Sequence, residues 1–177
     1  QGHHPYTCSP LFACILSEKE SGIGCPVLRM YGYERIREVT RQMDFYLPDG
    51  SKVLYCRMRV VNDNLTRRDM YWWSNIAVKT DPDARVIVPS DCSYNPYLSL
   101  EPWGDKDKEH TWLPIYKDID ITYPVNSPVA VDYFYKTYKD RRHYVLHIGK
   151  DGDGFVQFST ERLKGRKQRC LSQTRSF

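Results

Sequence analysis

Short segments that alternate between apolar and polar residues recur along most of the chain. Side chains two positions apart share one face of a β-strand, so this alternation is typical of strands with one buried face. No segment keeps a helical period for three turns. Strands are therefore predicted over residues 27–31, 36–39, 43–47, 53–61, 71–79, 85–88, 129–136, 143–148 and 155–159. We expect an all-β chain of long antiparallel strands arranged as a sandwich.

Turn-forming residues separate the predicted strands, at positions 48–50, 62–64, 81–83 and 151–154. The last of these, Asp-Gly-Asp-Gly, predicts a tight hairpin between strands 143–148 and 155–159. It does not match a calcium-binding EF-hand loop, which needs oxygen ligands at its fifth and twelfth positions. Counted from Asp151, those positions hold Phe155 and Arg162.

The composition indicates a soluble globular chain. Its 177 residues suffice for one domain or for part of a larger one, and its mean hydropathy is −0.62. No apolar run approaches the roughly 18–20 residues that cross a bilayer, so no membrane partner is expected. The formal net charge is +4, but six basic residues follow Glu161 with no further acid. The rest of the chain is slightly acidic, which argues against a nucleic-acid partner.

The six cysteines are irregularly spaced, without a C-x-x-C pair. An even number permits disulfides, but a reduced, cytoplasmic protein is favoured in a chain of this length. Cys56 lies mid-strand between Leu54 and Met58 and is predicted to be a core residue. The chain has no P-loop, dinucleotide fingerprint or G-x-S-x-G motif, so no cofactor is expected.

Tryptophan and amide side chains provide the first functional hypothesis. On a strand, Trp72 and Trp73 point to opposite faces, and Asn75 follows on the face of Trp73. A flat indole covers the apolar face of a sugar while an amide exchanges hydrogen bonds with its hydroxyls. Trp103 and Trp112 lie in an aperiodic segment, residues 89–114, which is either a functional loop or a surface excursion.

Paired carboxylates provide the second hypothesis. Asp118 and Asp120 would share one face of a strand and, with Glu101, are candidates for acid–base chemistry on a glycoside. Exposed aspartates on an edge strand are the favoured alternative, because neighbours on one face cannot straddle a sugar. His143 and His147 are four residues apart, about 13 Å on a strand, so they cannot bind one ion and no metal site is expected.

Five groups of residues together resemble a known family: 24–35, 44–50, 70–78 with 85–89, 121–124 and 159–167. The most specific is Met-Tyr-Trp-Trp-Ser-Asn-Ile-Ala-Val, residues 70–78. They resemble large bacterial proteins that carry a domain of unknown function with a galactose-mutarotase-like β-supersandwich, often followed by tetratricopeptide repeats. The resemblance implies carbohydrate handling and covers about residues 20–167.

The resemblance divides the chain into three parts. Residues 1–19 form a ragged segment with one strand, residues 20–167 a partial supersandwich, and residues 168–177 a basic tail outside the family pattern. The tail indicates a truncation or a shifted reading frame. Sheet edges left unpaired in this way would favour self-association.

These observations predict a carbohydrate-recognising β-sandwich fragment of a larger bacterial protein, with a sugar bound by Trp73, Asn75, Trp103 and Trp112. Two alternatives stay open. One is part of a glycoside hydrolase or sugar epimerase that uses Asp118, Asp120 or Glu101. The other is a purely structural assembly domain.

Overall fold

The computed structural model describes residues 8–94, 109–111, 113–116, 118–127 and 130–170, with only the backbone described for 109–111. Strands dominate these residues, and every strand pairing is antiparallel. The all-β, antiparallel, sandwich-like class predicted from the alternation is confirmed. The chain divides into two compact units, Gln1–Ser74 and Asn75–Phe177.

The first unit contains one four-stranded sheet. Its elements are β1 (Phe12–Leu16), α1 (Glu18–Ser21), β2 (Val27–Glu34), β3 (Val39–Tyr46) and β4 (Tyr55–Val61). The strands lie in the order β1-β2-β3-β4, so each is hydrogen-bonded to its neighbour in the chain. This simple meander follows from short connections between amphipathic strands.

Local hydrogen bonds set the ends of these elements. The Ser17 side chain accepts from the Glu20 amide, and the Glu20 carboxylate accepts from the Ser17 amide, which forms a capping box at the start of α1. Gly22 ends α1 in the left-handed conformation that glycine adopts without a steric cost. After β3, the turn at residues 48–51 is closed by a hydrogen bond from the Ser51 amide to the Pro48 carbonyl.

The described residues of the second unit form sheets of four, three and two strands. Its strands are β5 (Arg85–Ile87), β6 (Cys92–Tyr94), β7 (Glu109–Thr111), β8 (Ile115–Tyr116), β9 (Ile119–Asp120), β10 (Val131–Tyr135), β11 (Tyr144–Ile148), β12 (Gly154–Phe158) and β13 (Arg166–Cys170), with 3₁₀ helices at Pro124–Asn126 and Glu161–Leu163. They form sheets of order β13-β10-β6-β7, β12-β11-β5 and β8-β9. A core cluster of Ile121, Val131, Tyr133 and Cys170 is packed by Leu113, Tyr116, Ile119 and Tyr135.

The predicted hairpin at residues 151–154 is confirmed by the pairing of β11 with β12. The Gly149 amide donates to the Asp153 carbonyl, and Gly152 adopts a positive φ of 79°. Gly154 lies directly against the backbone carbonyl of His147, where a Cβ atom would overlap that oxygen. These glycines therefore allow the tight hairpin between β11 and β12 to form.

Two predicted strands are wrong. Residues 35–38 form a turn because the buried Glu34 carboxylate accepts the amides of Ile36 and Arg37, and β3 begins only at Val39. Residues 71–79 form no strand, although their composition favours one. The boundary between the two units falls inside this segment, and the segment belongs to none of the described sheets. Strand propensity depends on packing against paired strands, so composition alone does not make a strand.

Three further features differ from the sequence interpretation. Cys56 is exposed rather than a core residue. The segment 89–114, expected to be aperiodic, contains the paired strands β6 and β7. Strand β13 extends to Cys170, so residues 168–170 of the basic tail belong to a sheet.

Candidate functional site

The two residues expected to hold a sugar, Trp73 and Asn75, are both exposed, but they do not lie on a strand. Trp73 exposes 42% of its surface, and its ring centroid lies 6.2 Å from that of Tyr71. The prediction that strand alternation aligns Trp73 and Asn75 on one face is therefore wrong. Trp73 belongs to the first compact unit and Asn75 to the second.

Three other candidates lie outside the described residues. These are Glu101, Trp103 and Trp112, all from the segment 89–114. Their predicted roles stay predictions.

The aspartates at 118 and 120 do not form a pair on a strand face. Asp118 is an exposed turn residue with a positive φ of 64°, while Asp120 lies in β9. The Asp120 carboxylate accepts hydrogen bonds from the Thr122 amide at 2.9 Å and the Thr122 hydroxyl at 2.7 Å, and it lies 4.0 Å from Arg85. These contacts hold a turn together, so the premise of a shared strand face is wrong.

A different surface gathers charged side chains: one face of the first unit's sheet. The strand register aligns Cys14, Arg29, Asp44 and Arg57 across β1 to β4, and the next row on the same face holds Phe12, Tyr31, Gln42 and Arg59. Tyr46 and Tyr55 pair in the row on the other side. We call this surface the arginine face, and it comprises Phe12, Arg29, Tyr31, Gln42, Asp44, Tyr46, Tyr55, Arg57 and Arg59.

Asp44 is the centre of the arginine face and is completely buried. Arg29 forms a bidentate pair with it, in which Nε donates to Oδ1 at 2.8 Å and Nη2 donates to Oδ2 at 3.0 Å. Arg57 donates from Nη2 to Oδ2 at 2.9 Å, and Gln42 donates to both oxygens at 2.9 Å. A carboxylate offers about four acceptor positions, so these five contacts use its capacity fully.

The surrounding donors keep Asp44 ionised. The hydrogen bonds from Arg29, helped by those from Arg57 and Gln42, hold the pKa of Asp44 far below its usual range although burial opposes this. The same contact raises the pKa of Arg29. The carboxylate is thus a permanent negative charge that draws the arginines together.

Positive charge remains in excess on this face. Arg29, Arg57 and Arg59 face the single carboxylate of Asp44, and the other acid of the four strands, Glu34, alternates to the opposite face. Arg59 lies 3.8 Å from Asp44, beyond hydrogen-bond distance. The side chains of Arg57 and Arg59 are 41% and 46% exposed, although Nε of Arg57 is buried and has no hydrogen-bond partner among the described residues. The exposed parts of the two guanidinium groups offer N–H donors to water.

Aromatic rings lie in the rows on both sides of Asp44. Phe12 and Tyr31 stack at 5.5 Å between ring centroids, and Tyr46 and Tyr55 stack almost parallel at 5.1 Å. Tyr55 is 42% exposed and Phe12 is 68% exposed. Rows on one face of a strand are about 7 Å apart, so ring surfaces lie next to the guanidinium groups.

The sequence contained a partial signal for this face. The alternation of residues 53–61 places Tyr55, Arg57 and Arg59 together, but nothing local connects them with Asp44, which is 13 residues before Arg57. Cross-strand partners of this kind become visible only when the register is known.

The histidines take other roles. His143 Nε2 lies 2.6 Å from Glu161, which also binds Lys164; the pKa of Glu161 is lowered by Lys164 and then by His143. His147 is buried and stacks on Phe155. Within the described part of the chain, no group of three or more histidine, cysteine or acidic side chains is arranged to hold a metal ion. No helix in that part is long and apolar enough to cross a bilayer.

Comparison with known proteins adds no further constraint: no family model, no curated protein and no solved structure matches the chain. The chemistry of the arginine face is therefore the basis for a function.

Proposed function

We propose that this chain is a carbohydrate-recognising β-sandwich module and that it binds sugar on the arginine face. The supporting observation is the juxtaposition of stacked aromatic pairs with outward N–H donors on one sheet face. It replaces the Trp73 and Asn75 site expected from strand alternation.

Each component of the face matches one part of a sugar. The exposed rings of Phe12 and Tyr55 offer flat apolar surfaces for the C–H face of a pyranose. Arg57 and Arg59 offer N–H donors in a planar arrangement that suits oxygen acceptors. Asp44 fixes Arg29 and Arg57 in place, so less side-chain entropy is lost when a ligand binds.

The wider setting follows the family resemblance. We place the chain in a larger bacterial protein with a galactose-mutarotase-like supersandwich and tetratricopeptide repeats. All six cysteines are free thiols, which supports a reduced, cytoplasmic location. The outer strands β1 and β4 are the edges through which self-association is expected.

Calorimetric titration with a panel of neutral and acidic oligosaccharides tests the function. We expect Phe12→Ala to weaken binding about 5-fold, since one aromatic contact contributes roughly 0.5–1.5 kcal/mol. Phe158→Ala is the matched control, because Phe158 is a 75% exposed phenylalanine on β12 in the other unit. Its affinity should equal that of the parent protein.

Two results would reject the function as stated. A folded sample that binds no member of the panel would favour the structural alternative. Equal losses for Phe12→Ala and Phe158→Ala would place the sugar elsewhere. Release of new reducing ends during incubation would instead support the glycoside hydrolase alternative.

A further inference from the structure

We infer that the arginine face selects sugars that carry carboxylate groups, that is, oligosaccharides containing uronic acid. This inference rests on the proposed function and specifies its ligand class. Its basis is the surplus of guanidinium groups over carboxylates at the centre of the face.

The excess of positive charge arises from the composition of the cluster itself. Three guanidinium groups converge on one carboxylate, which leaves about two positive charges without an acidic partner on this face. Like charges held this close repel one another, and Asp44 offsets only part of that repulsion. An incoming anion would therefore be attracted by the remaining charge, whereas a neutral sugar would gain only hydrogen bonds.

The geometry of the donors suits a carboxylate. Arg29 is occupied by its bidentate contact with Asp44, whereas Arg59 donates no hydrogen bond to that acid. Arg57 donates Nη2 to Asp44 and its Nε is buried, so Arg59 is the arginine with a complete N–H edge for a ligand. A guanidinium edge with two parallel N–H groups matches the two oxygens of a carboxylate. Arg57 and Arg59 are two residues apart on β4, so both side chains point to the same side of the sheet.

The aromatic residues beside the arginines favour an anion that is carried on a sugar ring. Arg59 shares its row with Phe12 and Tyr31, and Arg57 lies one row from Tyr55. A uronic acid joins a carboxylate directly to a pyranose ring, so one residue can stack on an aromatic ring while its acid group reaches an arginine. Neutral sugars satisfy only the first of these contacts.

A nucleic acid fits the same surface less well. The first unit, residues 1–74, has ten basic and eight acidic side chains, so it lacks the strongly basic surface that binds a phosphate backbone. Its excess of basic over acidic side chains lies at the cluster of Arg29, Arg57 and Arg59 around Asp44. This favours a ligand with acid groups on ring-shaped units over an extended polyphosphate.

The decisive experiment compares one oligosaccharide in two forms, an α-1,4-linked oligogalacturonide and its carboxyl-reduced counterpart. Calorimetry on the full chain should show at least about 10-fold tighter binding of the acidic form, equivalent to about 1.4 kcal/mol. The difference should shrink at high salt, because partly exposed charges are screened.

Arg59→Gln should remove most of this preference, because it should lower the affinity for the acidic form far more than the affinity for the reduced form, to which Arg59 offers hydrogen bonds alone. This arginine is suitable because it makes no hydrogen bond to Asp44, so the cluster beneath it should persist. Arg67→Gln is the control, since it makes the same change of charge at an exposed residue outside the sheet. It should retain the preference of the parent protein.

The other outcomes distinguish failure of the uronate inference from failure of the proposed carbohydrate binding. Equal affinity for the acidic and reduced forms would overturn the uronate inference and leave carbohydrate recognition standing. Failure to bind either form, or any other glycan of the panel, would overturn both. Tighter binding of a sulfated oligosaccharide without uronic acid, or of a single-stranded oligonucleotide, would overturn the uronate assignment in favour of sulfate or phosphate recognition.

Discussion

Replacing Asp44 by asparagine is the sharpest test of how the first unit's sheet is held together. The substitution keeps the size of the side chain but removes its charge. It also places an NH₂ group where one carboxylate oxygen now accepts from Arg29, Arg57 or Gln42. The asparagine NH₂ group would then face other N–H donors, and three arginines would share the face with no negative charge.

The magnitude follows from the contacts. Hydrogen bonds to a charged group contribute roughly 1.5–3 kcal/mol each, and two guanidinium groups bind Asp44, so the gross loss is roughly 3–6 kcal/mol. Two effects reduce this figure: an amide is less costly to bury than a carboxylate, and the arginines keep part of their hydration. We expect a net loss of about 3 kcal/mol in the free energy of unfolding.

Urea unfolding followed by far-ultraviolet circular dichroism measures this loss. With a slope of about 2 kcal/mol/M, the midpoint should fall by about 1.5 M. Asp49→Asn is the matched control, since it removes the same charge at an exposed turn residue and should stay within about 0.5 kcal/mol of the parent. If Asp44→Asn changes stability no more than the control does, the carboxylate does not hold the cluster and our account of the arginine face is refuted.

The pH dependence provides an independent check. The pKa of Asp44 is lower in the folded than in the unfolded chain, because Arg29 and Arg57 stabilise the ionised form. Its contribution is therefore complete above the unfolded pKa of about 3.9 and is lost as the pH falls below that value. The stability difference between the parent and Asp44→Asn should be constant between about pH 5 and 7 and shrink only under more acidic conditions.

Two further predictions concern the second unit and the cysteines. Gly154→Ala should destabilise the protein by about 2 kcal/mol, because its Cβ would overlap the His147 carbonyl, whereas Gly165→Ala, with open space around it, should be neutral within about 0.5 kcal/mol in the same urea assay. Partial burial raises the pKa of the Cys56 thiol, but Cys56 is exposed and should react with a thiol reagent in the native protein. Cys170 is buried, which raises its pKa to about 11, and should stay protected until unfolding; Cys56→Ser should remove one reactive thiol.

The strands that could be predicted from the sequence are those whose pattern is expressed locally. Residues 53–61, 143–148 and 155–159 alternate clearly, and each corresponds to a strand, with a glycine-rich hairpin between the last two. The period of a strand and the residues of a tight turn are encoded within a few positions. Pairing between distant strands is not encoded there.

The tryptophan segment demonstrates the limit of local propensity. Residues 71–79 have the aromatic and branched side chains that sheets favour, yet they form no strand. A strand is stabilised by its neighbours, through cross-strand hydrogen bonds and side-chain pairs. The sugar site expected at Trp73 and Asn75 depends on a strand face that these residues do not form.

Alternation also leaves open which face of a strand is covered. Leu54, Cys56, Met58 and Val60 alternate with Tyr55, Arg57 and Arg59, and the apolar neighbours of Cys56 predict that it is a core residue. In the structure Cys56 is exposed, while Asp44 on the polar face is completely buried. Two arginines on one strand face repel each other and favour an acid on the adjoining strand. Once the register is known, such a pair therefore points to its own counter-charge, which here is Asp44.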